Sequence, residues 1–255
     1  MPKLGCVPYI NALPLTYFLD RSQFEIITRP PAQLLELLQK GEVEAALLPI
    51  VNYFERYDLQ LVPELAIAAH GPVRSVKLFF KDSSKSIENL RYVLLDSESK
   101  TSNLLLKVLL KHRYGKDLSE MVFLSEDPAS KAEARLLIGD KALDHLHPEE
   151  NFVDLAELWW EWTQKPFVFA AWMTRGSATS TLASSLLEAR ENGLKEIETI
   201  IRGLPHYPPD FLKEYFTRAV HYYMGAQELE GIRTFFEFLK PIQGYRHELD
   251  FRFVS

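Results

Sequence analysis

Cysteine occurs once in the 255 residues, as Cys6, so the chain has no internal disulfide and no cysteine-rich metal site. Beside the first strand-like run, Cys6 is expected to act as a small buried apolar residue. Basic runs are missing too. With a formal net charge of -6 and no cluster of Lys and Arg, no surface tracks a phosphate backbone, and nucleic acid is not expected as a partner. Long apolar runs are also absent. Nothing approaches membrane-spanning length, and Met1-Pro2-Lys3-Leu4-Gly5 has no charged region leading into a continuous apolar stretch. A cytoplasmic protein without a membrane partner is therefore expected. There is no Walker loop, dinucleotide fingerprint or metal-ligand motif, so no metal site is read. His145 and His147 come nearest to a ligand pair, and they read as a polar loop after a helix.

What remains is an ordinary globular composition, 47% hydrophobic and 25% charged, large enough for one big core or two smaller ones. Strand-like and helical runs alternate, which marks an α/β fold. Lys3 to Val7 and Phe24 to Thr28 read as strands. Pro30-Pro31 opens a helix with Leu34, Leu35, Leu37 and Leu38 on one face, stopped at Gly41. Val43 to Ile50, Leu61 to Ala69 and Val76 to Phe80 read as further strands. The polar stretch Lys81 to Ser86 reads as the exit from a first lobe. A second series begins at Tyr92, continues through Met121 to Leu124 and Arg135 to Ile138, and turns at Gly139-Asp140.

The segment Pro166 to Trp172 is apolar throughout, as a strand buried on both faces would be. Beyond Ser177 only helices are read: Ala178 to Arg190, Leu194 to Arg202, Pro209 to Val220 and Ala226 to Leu239. This helical tail has to pack somewhere, and the first lobe has the larger sheet face. The expected architecture is a two-lobed clamshell with a central cleft, residues 1–80 and 166–255 forming one discontinuous lobe and 81–165 the other.

Three polar constellations fall where strands end. Pro8 and Pro14 frame a short turn from which Asn11 can project into the mouth of a sheet. Ser99-Lys100-Thr101-Ser102 follows a strand at a helix start, where outward amides and hydroxyls suit a carboxylate or phosphate, and where ordinary helix capping is the simpler alternative. In Gly71-Pro72-Val73-Arg74-Ser75, Ser75 is either a cleft hydrogen-bonding group or a turn hydroxyl, with no His and acid pattern to make it a nucleophile. Arg74 pairs with a carboxylate or is solvated. The tryptophans Trp159, Trp160, Trp162 and Trp172 form either an aromatic site wall or core packing.

Val7-Pro8-Tyr9-Ile10-Asn11-Ala12-Leu13-Pro14-Leu15, His70-Gly71-Pro72-Val73-Arg74-Ser75-Val76, Ser99-Lys100-Thr101-Ser102, Leu137-Ile138-Gly139-Asp140 and Lys165-Pro166-Phe167-Val168-Phe169-Ala170 occur in the order found in the chorismate dehydratases of the futalosine route to menaquinone. The chain resembles that family over most of its length, least after about Ser177. The resemblance implies a periplasmic-binding-protein type II fold turned into a cofactor-free lyase that converts chorismate to 3-[(1-carboxyvinyl)oxy]benzoate and water. It implies Asn11 and Ser75 as the catalytic pair, with Arg74, Ser99, Thr101, Ser102, Gly139 and Asp140 as substrate-binding residues. Two positions depart from the pattern: Lys100 stands where arginine is common, losing the planar two-pronged contact, and Lys141 stands where a small residue is frequent. The runner-up in the same pathway, the 1,4-dihydroxy-6-naphthoate synthase, usually opens with a Cys-Pro-Asn-Asp-like turn that is not present here. A non-catalytic solute-binding protein is the alternative from another class.

Overall fold

The computed structural model describes residues 1–127, 130–144, 151–176 and 180–254, and His145 and His147 lie outside them. In chain order the first elements are β1 (Lys3–Cys6), α1 (Leu13–Thr16), β2 (Glu25–Thr28), α2 (Pro31–Lys40), β3 (Ala45–Pro49), α3 (Val51–Glu55) and β4 (Leu59–Ala69). Next come β5 (Val76–Phe80), β6 (Tyr92–Leu94), α4 (Lys100–Val108), β7 (Val122–Leu124), β8 (Ala134–Ile138), α5 (Gly139–Asp144), β9 (Phe152–Asp154), α6 (Leu155–Thr163) and β10 (Phe167–Arg175). The tail holds α7 (Ser180–Lys195), α8 (Ile197–Arg202), α9 (Pro209–Glu214) and α10 (Ala226–Gln243).

Local chemistry sets many of these ends. α2 has proline at its first position, where the missing N–H costs nothing, and ends at Gly41 with φ 70°. α4 is capped by the Ser99 hydroxyl, which accepts the Ser102 N–H. α6 is capped by Asp154, which accepts the N–H groups of Ala156 and Glu157.

Among the described residues the strands form two sheets, ordered β2-β1-β3-β10-β4 and β7-β6-β8-β5-β9. In the first, β1 runs parallel to β2 and β3, and β10 returns antiparallel between β3 and β4. The strand read as the end of the first lobe, Val76–Phe80, instead lies inside the second sheet, antiparallel to β8 and β9. Its five residues are all buried, and a strand covered on both faces reads the same in either sheet. The chain changes sheet one segment earlier, where Gly71 (φ 115°) and Arg74 (φ 67°) take left-handed backbone. Lys81 to Ser86 is polar because it is a loop at the edge of the second sheet, where Lys85 pairs with Glu133 at 2.7 Å. Gly139-Asp140 is likewise not a free turn but the start of α5.

The core is continuous across both sheets. Trp159 of α6 is fully buried, with the rings of Phe167 at 5.4 Å and Phe235 at 5.9 Å edge-on to it. This places α10 against both the returning strand and the second lobe. Each such buried aromatic contributes about 1.5–3 kcal/mol by leaving water, and edge-on packing adds about 0.5–1.5 kcal/mol per pair. Trp172 is also fully buried and Trp162 packs against the same core, while Trp160 is only half-buried; none of the four lines the cleft between the two sheets.

α7 meets α1 so closely that a Cβ on Gly193 would lie 2.0 Å from the Pro14 carbonyl oxygen. Only glycine lets that helix support the turn that carries Asn11.

Candidate functional site

The ends of β1, β3, β4, β5, β8 and β10 converge on a cleft between the two sheets. Asn11, Ser75, Ser99, Ser102 and Gly139 all line it, together with Tyr9 and Glu98. Five of the sequence-derived site residues, drawn from four separate motifs, thus meet in one place. The cleft holds about 70 Å³, well under the roughly 300–1,000 Å³ of small-molecule pockets. A roomier depression of about 640 Å³ beside Phe79, Phe80 and Lys81 contains none of the sequence-derived residues. Its polar groups are used locally, Lys81 donating to the Ser130 carbonyl and Asn151 to that of Lys85.

Asn11 sits in a single 3₁₀ turn, Ile10–Ala12. Its Oδ1 is buried and has no hydrogen-bond partner. A buried acceptor left unpaired costs about 1–3 kcal/mol, and Asn11 is part of the cleft lining. Ser75 begins the second lobe and is buried. The Tyr215 hydroxyl donates to its Oγ at 2.9 Å, and the phenol is driven far above its usual range by burial, so it remains a donor. That bond uses one of the two lone pairs on Ser75 Oγ, and the Ser75 hydroxyl itself donates to the Val73 carbonyl at 3.5 Å, a long contact.

The residue before Ser75 is strained. Arg74, at φ 67°, carries a cost of about 1–3 kcal/mol, and its N–H donates to Asp154 Oδ2 at 2.6 Å. Burial lifts the Asp154 carboxyl to about 6 against the opposing N–H bonds of Arg74, Glu157, Val73 and Ala156. The Arg74 guanidinium makes a two-pronged contact with Glu214 at 2.6 and 3.1 Å and does not line the cleft.

At the start of α4, Ser99 Oγ donates to Ser102 Oγ at 2.8 Å. The Ser102 and Asn103 N–H groups are used by the Ser99 hydroxyl and carbonyl, which leaves the amides of Lys100 and Thr101 without intrahelical partners. The capping reading of this motif is thus observed. Thr101 is buried, its Oγ1 unpartnered and outside the cleft lining. Lys100 reaches Glu55 of the first lobe at 2.6 Å.

Asp140 accepts the Ile10 N–H at 3.2 Å, which ties α5 to the turn of Asn11, and burial raises its carboxyl above the usual range. Gly139 has φ 56°, and a Cβ there would touch the Tyr9 ring at 3.4 Å.

Sequence reasoning missed the clasp over the cleft. Tyr9 donates to Glu98 Oε2 at 3.0 Å, and Lys141 pairs with the same carboxylate at 3.1 Å. Burial, then the bond to Glu98, pushes the Tyr9 phenol above its ordinary range. The departure at Lys141 therefore serves the clasp. Tyr215 was missed as well, because its contact with Ser75 spans 140 residues. Cys6 is buried and its thiol is pushed up to about 12 by that burial, so it stays inert.

Metal-ligating side chains converge elsewhere. Among the described residues, His70, His221 and Glu228 bring their donor atoms within 4.8 Å of one another, and none of the three lines the cleft. No helix among the described residues is long and apolar enough to cross a membrane.

The fold is that of periplasmic binding proteins. A protein from Archaeoglobus fulgidus is similar with a TM-score of 0.71 at 15% identity, covering 95% of this chain and 97% of that one. The periplasmic aliphatic sulphonate binding protein of Escherichia coli matches with a TM-score of 0.68 at 14% identity, covering 98% and 89%. At the level of sequence, the chorismate dehydratase of Thermus thermophilus is 33% identical over 92% of this chain and 94% of its own length. That of Campylobacter jejuni is 29% identical over 65% and 64%. The family model described as menaquinone biosynthesis matches residues 2–241. With nearly its whole length accounted for in this way, the chain belongs to the menaquinone biosynthesis family.

Proposed function

We propose that this protein is a hydro-lyase that converts chorismate to 3-[(1-carboxyvinyl)oxy]benzoate and water in the cytoplasm, without a cofactor. The observation that carries the reading is the pairing in one cleft of an unpartnered buried acceptor, Asn11 Oδ1, with the Ser75 hydroxyl, which is held by Tyr215 and whose own donor contact is a long one. Together they offer an acceptor and a donor to a substrate hydroxyl. The 33% identity to a chorismate dehydratase supports the choice of substrate.

In the reaction, the ring C–H beside the ether breaks and its electron pair forms the new ring double bond. The neighbouring C–O bond breaks and the hydroxyl leaves as water. That proton is acidified through the adjacent double bond to the ring carboxylate, and aromatisation drives the step. The cleft has little to supply beyond orientation and stabilisation of charge as it develops.

Its own lining carboxylate, Glu98, is engaged by Tyr9 and Lys141, so the enolpyruvyl carboxylate of the substrate acts as the base and returns the proton to the departing hydroxyl. Asn11 and Ser75 hold that hydroxyl. Ser99 and Ser102, with the free Lys100 and Thr101 amides of the α4 start, receive a carboxylate of the substrate. Gly139 lets the backbone approach closely, while Arg74 and Asp140 act through the backbone segments that they fix.

Incubation of the purified protein with chorismate alone, followed chromatographically, tests this. Loss of chorismate with appearance of the aromatic ether is the expected result. Tight binding without turnover would instead assign a solute-binding role, which the structural likeness to sulphonate-binding proteins would then explain.

A further inference from the structure

Glu228 is almost wholly buried, and two imidazoles are aimed at the same oxygen of its carboxylate: His70 Nε2 lies 2.7 Å and His221 Nε2 3.3 Å from Oε1. The rings stand nearly perpendicular with centroids 4.1 Å apart. One imidazole suffices to neutralise a carboxylate. Two that converge on a single oxygen, with all donor atoms within 4.8 Å, form the donor set of a divalent transition metal. In a tetrahedral zinc site with bonds of about 2.0–2.1 Å, neighbouring donor atoms lie about 3.3 Å apart. The His221 to Glu228 separation already has that value, and the His70 to Glu228 separation, 2.7 Å, is shorter than it.

The surroundings are built to hold the donors still, as metal sites require. The other oxygen of Glu228 accepts the Gly225 N–H at 2.8 Å. His221 is fixed by reciprocal backbone bonds with Ala68, each 3.0 Å. The His70 ring stacks on Trp160 of the second lobe, centroids 5.6 Å apart. The His70 side chain is 31% exposed, which gives an ion a way in and leaves room for water as a fourth ligand.

We infer that His70, His221 and Glu228 form a binding site for one divalent transition-metal ion of the zinc class, separate from the cleft and bracing the point where the chain leaves the first sheet. Three elements supply the ligands: the end of β4, the stretch before α10, and the first turn of α10.

The test titrates Zn²⁺ alone into chelator-stripped protein against a competing chelator, and repeats the titration with His70→Gln, His221→Gln and a His145→Ala/His147→Ala variant. One equivalent per chain is expected in the wild type and in the His145/His147 variant, with affinity lowered at least tenfold by either Gln substitution. Zn²⁺ should also raise the melting temperature of the wild type and leave both Gln variants unmoved. Co²⁺ should give the visible absorption of a tetrahedral nitrogen and oxygen site in the unmutated protein, a readout that does not depend on any variant folding. Failure to bind one equivalent, absence of the Co²⁺ band, binding unchanged in both Gln variants, or loss confined to the His145/His147 variant would each overturn the assignment.

Discussion

Tyr215 and Ser75, 140 residues apart, are joined by a hydroxyl to hydroxyl bond of 2.9 Å that crosses from the C-terminal helices to the first residue of the second lobe. Both are buried. The bond anchors the Ser75 hydroxyl from the first-lobe side, which makes Tyr215 a positioning residue for the proposed elimination. Tyr215→Phe should lower kcat about 3–10-fold with KM nearly unchanged, the effect of one lost neutral hydrogen bond. Steady-state kinetics on chorismate separate this from a structural role, which would appear as lost stability with kcat intact.

The clasp of Tyr9 on Glu98 holds the cleft closed from the opposite lobe. Tyr9→Phe removes one half-buried contact to a charged acceptor and should raise KM several-fold while kcat changes less. The same substitution should make the cleft easier to open, seen as faster amide hydrogen exchange in the Ile10–Ala12 turn.

Gly193 is a test of how the turn that carries Asn11 is supported. With the Pro14 carbonyl 2.0 Å from where its Cβ would stand, Gly193→Ala must push α7 from α1. Overpacking of this kind costs about 1–3 kcal/mol, and because the obstacle is backbone the upper end is expected in a denaturant titration.

Acid sensitivity has a named contributor outside the cleft. Glu133 is drawn from its ordinary 4.5 to about 2 by its bond to Lys85, against burial and with help from the Arg91 and Tyr92 N–H groups. A carboxyl depressed in the fold adds stability above its unfolded value and loses it as the pH falls from about 4.5 toward 2. Glu133→Gln should therefore lower the melting temperature at neutral pH by the equivalent of about 1–2 kcal/mol. The gap to wild type should close as the solution approaches pH 2.

Much of this arrangement is legible in the sequence because strand ends are punctuated by residues with a physical reason to be there. Pro8 and Pro14 flank Asn11, Gly71 precedes Ser75, and Gly139 follows β8. What pairs across the cleft is not legible. Tyr9 and Glu98 are separated by 89 residues, and neither type nor spacing announces the contact. The placement of Val76–Phe80 fails for another reason: a strand of five buried residues carries no alternation to say which sheet receives it. The guanidinium of Arg74, read as pairing with a carboxylate or solvated, pairs with Glu214, since the left-handed turn at Arg74 separates it from Ser75.

The unpartnered Oδ1 of Asn11 is the most direct point of attack. A group kept for substrate costs stability while the cleft is empty, so its removal should harm catalysis and spare the fold. Chorismate turnover by Asn11→Ala, measured beside its thermal unfolding, should show kcat reduced by about 10²–10³-fold with a melting temperature equal to or above that of wild type. Full activity in Asn11→Ala, or a loss of activity matched by a loss of fold, would contradict the account.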